Sequence, residues 1–135
     1  ILHFFVRRKQ MKKKPIFIIL GFILFAFVLF KTFSAKIVSD ANKLQNETIN
    51  IKDIPNGTYN GHSELGPVIV DVQVTIKNGN IEKVEILNHQ CGFGQKANQI
   101  TDRIKNQNTY NVDAISGATV SSKVIMNAVN NALQQ

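Results

Sequence analysis

The densest chemistry in this chain lies in Asp113-Ala114-Ile115-Ser116-Gly117-Ala118-Thr119-Val120-Ser121-Ser122, where four hydroxyls crowd around a single glycine. Immediately after it, Val124, Ile125, Ala128, Val129, Ala132 and Leu133 recur at the spacing of a helix with one buried face. Ser121 or Ser122 is then expected at the N-cap of that helix. Gly117 lets the backbone turn tightly or approach a ligand closely. Hydroxyls and free backbone N–H groups at a helix N-terminus favour an anion, a phosphate above all, because the amides and the helix dipole both attract negative charge. The residues alone indicate such a site and name no ligand.

A second place for chemistry is His89-Gln90-Cys91-Gly92-Phe93-Gly94-Gln95. One His and one Cys fall short of the three or four ligands that zinc requires, and His62 and His3 offer no matching spacing, so no metal site is expected. Cys91 is the only cysteine, which rules out an intramolecular disulfide. Gly92 and Gly94 permit close approach of the backbone to a flat ligand, and Phe93 offers a ring to stack on it. The alternative is a plain loop between a strand and a helix.

Asp-x-x-Ser-Gly-Ala-Thr-x-Ser resembles the signature of FMN-binding domains, including the flavin-carrying subunits of the sodium-pumping NADH:quinone reductase and Rnf complexes. The likeness extends to Gly57-Thr58-Tyr59-Asn60-Gly61, which looks like the opening strand of such domains, and covers roughly residues 56 to 133. The resemblance implies FMN as cofactor, joined through its phosphate to Thr119 by a separate FMN transferase. Asp113, Ser116, Gly117 and Ala118 complete the recognised motif, with Ser121 and Ser122 beside it. It further implies that His89, Gly92, Phe93 and Gly94 line the isoalloxazine. The chain then acts as an electron carrier more than as an enzyme in its own right. A non-covalent FMN site, an exported interaction module and a small flavin reductase are the alternatives.

The elements that must hold these residues are legible in the spacing. Val68, Val70, Val72, Val74 and Ile76 alternate with Ile69, Asp71, Gln73 and Thr75, the period of a half-buried strand. Lys77-Asn78-Gly79-Asn80 follows, and Asn-Gly between two such runs is a strong hairpin signal. The return strand runs from Ile81 to Leu87, with Val84 and Ile86 inward and Glu82, Lys83 and Glu85 outward. From Gln95 to Asn106, Ala97, Ile100 and Ile104 form a narrow helical stripe. Strands followed by helices predict an α+β fold, a small antiparallel sheet with helices packed on one face.

Charge divides the chain. The net charge is +7, and Arg7, Arg8, Lys9, Lys12, Lys13, Lys14 and Lys31 supply all of the excess, while nine basic and nine acidic residues balance from Lys36 onward. Nucleic-acid binding needs a basic surface on the domain itself and drops out. The basic cluster flanks Ile16–Phe30, an unbroken apolar run that Pro15 and Thr32-Phe33 extend. It reads as a single-pass membrane anchor, with a cleaved signal peptide as the competing reading. Either way the cluster stays in the cytoplasm and the domain stands on the extracytoplasmic side. Met11-Lys12-Lys13-Lys14 is a normal start for such a segment, and residues 1–10 read as an upstream over-extension. The expected division is therefore residues 1–35 for basic tail and anchor or signal, 36–53 for a polar linker, and 54–135 for the domain, which Ile54-Pro55-Asn56-Gly57 opens with turn chemistry. The partners that this organisation and the resemblance imply are the membrane, an FMN transferase and a membrane electron donor such as a quinone-linked reductase.

Overall fold

The alternating valine run is the central strand of a three-stranded antiparallel sheet in the computed structural model, which describes residues 14–90 and 94–135. Strand β1 spans Gly57–Leu65, β2 Val68–Lys77 and β3 Asn80–Gln90, paired in the order β1-β2-β3. Gly66 (φ +56°) and Pro67 turn the first hairpin. Asn78 and Gly79, at φ +52° and +72°, turn the second, the double positive φ that the Asn-Gly pair favours. Helix α2 (Ile100–Gln107) follows a 3-10 segment, Gly94–Gln99, and α3 (Thr119–Leu133) closes the chain. This is the expected α+β fold.

The core lies between one face of the sheet and the helices. Val70, Val72, Val74 and Ile76 present the inner face of β2, and Ile100, Ile104, Val124, Ile125, Ala128, Val129 and Ala132 pack against it, all but fully buried. The close approach of α3 to β1 is made possible by Gly61. A Cβ there would collide with the Ala128 carbonyl oxygen and fall 2.8 Å from the Ala132 Cβ. The outer face of the sheet is polar. On it His62 donates from Nδ1 to Asp71 across the β1–β2 pair at 2.6 Å, and Asn88 donates to the other Asp71 oxygen at 3.1 Å.

Strand β3 is bulged twice, and the bulges decide which side chains reach the core. Ile81 pairs with Ile76 and Lys83 with Thr75, leaving Glu82 as an extra residue. Val72 pairs with Ile86 and Asp71 with Asn88, leaving Leu87 as the second extra residue, its side chain 56% exposed. Strict alternation from Ile86 would send His89 to the open face. The bulge at Leu87 reverses the parity and sets His89 opposite Val70, on the helix-covered side.

The N-terminal half divides differently from the sequence reading. Helix α1 runs Lys14–Asn42, so the helix continues well past Lys31 and gains the length that a membrane span needs. The chain separates into two compact units, Ile1–Ser34 and Ala35–Gln135. In the first, every large apolar side chain from Ile16 to Phe30 is exposed, and Lys31 Nζ lies 5.6 Å from the centre of the Phe27 ring. This helix is long and apolar enough to be a membrane anchor or a signal helix.

In the second unit, the stretch expected to be a linker is part of the folded domain. Ala41 and Ile51 are buried, and Leu44, Ile49 and Ile54 pack on the core. The reason is a set of asparagines on α3 that the apolar stripe concealed. Asn130 grips the Glu47 peptide at both ends, accepting from its N–H at 3.0 Å and donating to its carbonyl at 2.8 Å. Asn127 donates to the Gln45 carbonyl at 2.9 Å and accepts from Ser63 Oγ at 2.7 Å. Tyr110 adds its hydroxyl to the Glu47 carbonyl at 2.6 Å. Residues 45–47 therefore strap across α3, while Lys52 and Asn56 meet the Asn78-Gly79 turn.

Candidate functional site

The serine-rich loop ends in α3, but one turn earlier than its hydroxyls suggested. Thr119 is the first helical residue and Ala118 the N-cap, with no side-chain hydrogen bond to close the helix start. Ser121 and Ser122, expected as caps, lie inside the first turn and are buried. The Ser122 hydroxyl accepts from the Ile115 N–H at 3.0 Å, so it fastens the loop to the helix from within. The reason is local. The Ala118 N–H bonds back to the Ile115 carbonyl at 3.0 Å, and Gly117, at φ +77°, completes a turn that a residue with a side chain adopts only under strain.

This arrangement leaves donors free. The first bond into the helix runs from the Ser122 N–H to the Ala118 carbonyl at 2.9 Å, so the N–H groups of Thr119, Val120 and Ser121 precede the ladder. Ser116 and Gly117 are exposed, Ala118 is buried, and Thr119 is half-buried, its hydroxyl on the first helical position. Asp113 is exposed, and its carbonyl accepts from the Arg103 guanidinium on α2 at 3.0 Å.

The 3-10 segment Gly94–Gln99 links this loop to the end of β3. Its Asn98 accepts from His89 Nδ1 at 2.5 Å. With that proton committed, His89 Nε2 is the ring's other polar atom, and among the described residues it is the buried side-chain polar atom left without a partner. Two positions along the segment from Asn98, the Lys96 side chain lies against Gly117. The segment Gly94–Gln99 thus touches both stretches, through Asn98 at His89 and through Lys96 at Gly117. Gly94 begins that segment. Gly92, Phe93 and Cys91 fall outside the described residues.

Lys96, Asn98 and Arg103 escaped sequence reading. Nothing in their spacing sets them apart from ordinary surface residues of a short helix. The one available signal was their place between the two motifs.

The donors fit a phosphate. Unladdered N–H groups, the Thr119 and Ser116 hydroxyls and a glycine turn suit a tetrahedral anion, and His89 Nε2 has no partner among the described residues. Fold and site together describe a small α+β domain whose last helix begins with unladdered N–H groups and an open threonine hydroxyl. A family model described as the FMN-binding domain matches residues 66–134, and the chain belongs to that family. FMN is its cofactor. The match begins after β1, so the likeness at Gly57–Gly61 lies outside it. No curated protein and no solved structure matches the chain.

Proposed function

We propose that this chain is a membrane-tethered electron-transfer protein that carries FMN on the extracytoplasmic side, with the flavin joined through a phosphoester to Thr119. The supporting observation is the open start of α3, where the Thr119 hydroxyl and three unladdered N–H groups come together without a cap.

A threonine hydroxyl is a weak nucleophile unaided, so attachment falls to a separate FMN transferase. Thr119 Oγ1 forms the new bond to the FMN phosphorus of FAD, its proton leaves to a base on that enzyme, and AMP departs as the P–O–P bridge breaks. Bound FMN supplies the one- and two-electron chemistry. The protein supplies position. The N–H groups of Thr119, Val120 and Ser121 would hold the phosphate, Gly117 makes the turn that precedes them, and Ser122 holds the loop to the helix through Ile115. Asp113, Ser116 and Ala118 complete the loop that presents Thr119. His89, its Nδ1 held by Asn98, would offer Nε2 to a polar edge of the ring system, and Gly92, Phe93 and Gly94 are the residues proposed to line it.

Tethering follows from the exposed apolar helix and its basic flank, which orients such a segment with the cluster in the cytoplasm. On the outer side a dissociable flavin would be lost to the medium, which favours a covalent link. A tether also keeps the carrier concentrated near an electron donor in the membrane, such as a quinone-linked reductase.

The test is co-expression with an FMN transferase, comparing the chain with its Thr119→Ala variant by intact mass and by in-gel flavin fluorescence after denaturation. The expected wild type gains the mass of FMN less one water and fluoresces, and the variant does neither. A yellow native protein that is dark and unshifted after denaturation contradicts the covalent link.

A further inference from the structure

The start of α3 is electrostatically unbalanced, and the imbalance has one sign. The dipole places roughly half a positive charge there, which helices commonly offset with an acidic residue or a capping oxygen. α3 has no acidic residue in its first turn and no capping side chain. It has cations instead. An ideal Cβ on Gly117 would fall 2.5 Å from Lys96 Nζ and 3.1 Å from its Cε, so the ammonium occupies the space that the missing side chain leaves. All the acidic side chains of the chain lie among the described residues, and Lys96 pairs with none of them. Lys123 stands one turn after Thr119 on the same helix face, also unpaired. Arg103 reaches the loop through the Asp113 carbonyl. The exposed Asp113 carboxylate is the loop's one acidic group.

Lys96 is solvent-exposed, and an ammonium beside the positive end of a helix is placed to meet an anion there. We propose that Lys96 is a positioning residue for the flavin phosphate, its ammonium closing the side of the site that faces the Gly117 turn. The proposal rests on the reading of the Thr119 loop as the phosphate site, and adds a charge supplied from a different element. It gives Gly117 a second requirement besides its φ of +77°, since any side chain there displaces the ammonium. It also makes the site selective for the phosphorylated flavin. An ammonium is worth little to riboflavin and much to FMN, whose phosphate carries between one and two negative charges.

The experiment uses the full chain in detergent micelles, made without a transferase, titrated with FMN and separately with riboflavin by quenching of flavin fluorescence. Wild type is expected to prefer FMN, with a preference that weakens as salt rises. Lys96→Gln lowers FMN affinity about tenfold, the scale of one charge-assisted hydrogen bond, and leaves riboflavin affinity unchanged. Lys96→Arg keeps most of the preference. Unchanged FMN affinity in Lys96→Gln, or an equal fall for both flavins, overturns the role of Lys96 while the Thr119 site stands. A wild type that does not distinguish FMN from riboflavin overturns both.

Discussion

The two ends of α3 carry polar residues in similar density and treat them in opposite ways. Toward the C-terminal end, Asn127, Asn130 and Asn131 spend their amides on backbone and side-chain partners: the Gln45 carbonyl, both ends of the Glu47 peptide and the His62 carbonyl. Asn130 is fully buried and still satisfied. At the N-terminal end the hydroxyl of Thr119 and the N–H groups of the first turn are left open, no cap closes the helix, and a lysine stands by without a carboxylate. A buried polar group without a partner costs free energy, a cost the buried Asn130 avoids, while the half-buried start of the helix is the end that we propose takes the ligand. On this proposal the same helix is a structural strut at one end and a binding site at the other.

Substitutions that separate these roles follow from the contacts. Gly61→Ala should break both ends together, because the added methyl meets the Ala128 carbonyl oxygen and forces α3 off the sheet. A loss of about 3 kcal/mol, the upper part of the overpacking range, is expected in denaturant unfolding, with flavin binding lost in parallel. Asn130→Ala should break the strut alone. It removes both Asn130 bonds to the Glu47 peptide and leaves its carbonyl only the Tyr110 hydroxyl, at a cost of about 2 kcal/mol read as a lowered Tm, while the site at Thr119 still takes FMN.

The smallest effect lies on the open face of the sheet. There the Asp71 carboxylate, hydrogen-bonded to His62, raises the imidazole above its ordinary value, and His62, with Asn88, lowers Asp71 below the usual carboxylate range. A raised histidine contributes stability that is complete below pH 6.5 and lost as pH rises through its folded value. A lowered aspartate contributes stability present above pH 3.8 and lost as pH falls through its folded value. Both groups are solvent-exposed, so the contribution is small and screened by salt. Asp71→Asn should therefore lower Tm slightly at pH 5 and leave it unchanged at pH 9. An equal effect at both pH values would show that the pair does not titrate with folding.

How far the sequence revealed this molecule depends on what each feature requires. The β2 alternation, the Asn78-Gly79 turn and the stripe of Ala97, Ile100 and Ile104 were legible because each depends on local period or local φ. The strap was not. Residues 36–53 are as polar as a free linker, and their docking depends on asparagines some eighty positions later, a pairing with no periodic trace. The placing of His89 on the covered face depends on the Leu87 bulge, which an alternation pattern reads as a continuing strand. At the site, the loop was recognisable from Ser116-Gly117-Ala118-Thr119, yet the helix start was misplaced. Ser121 and Ser122 are good caps by type, and what decided against them was the Ile115–Ala118 turn and the use of the Ser122 hydroxyl inside it. Lys96 was invisible for the same reason as the strap, since its meaning lies in what it meets across the fold.

The central claim is that the ligand's phosphate completes the open end of α3, and backbone amide NMR of the full chain in micelles, free and saturated with FMN, tests it most directly. The account predicts downfield shifts and slowed hydrogen exchange at the amides of Thr119, Val120 and Ser121, with the side-chain amides of Asn127 and Asn130 unmoved. Shifts confined to other regions, with those three amides unchanged, would contradict it.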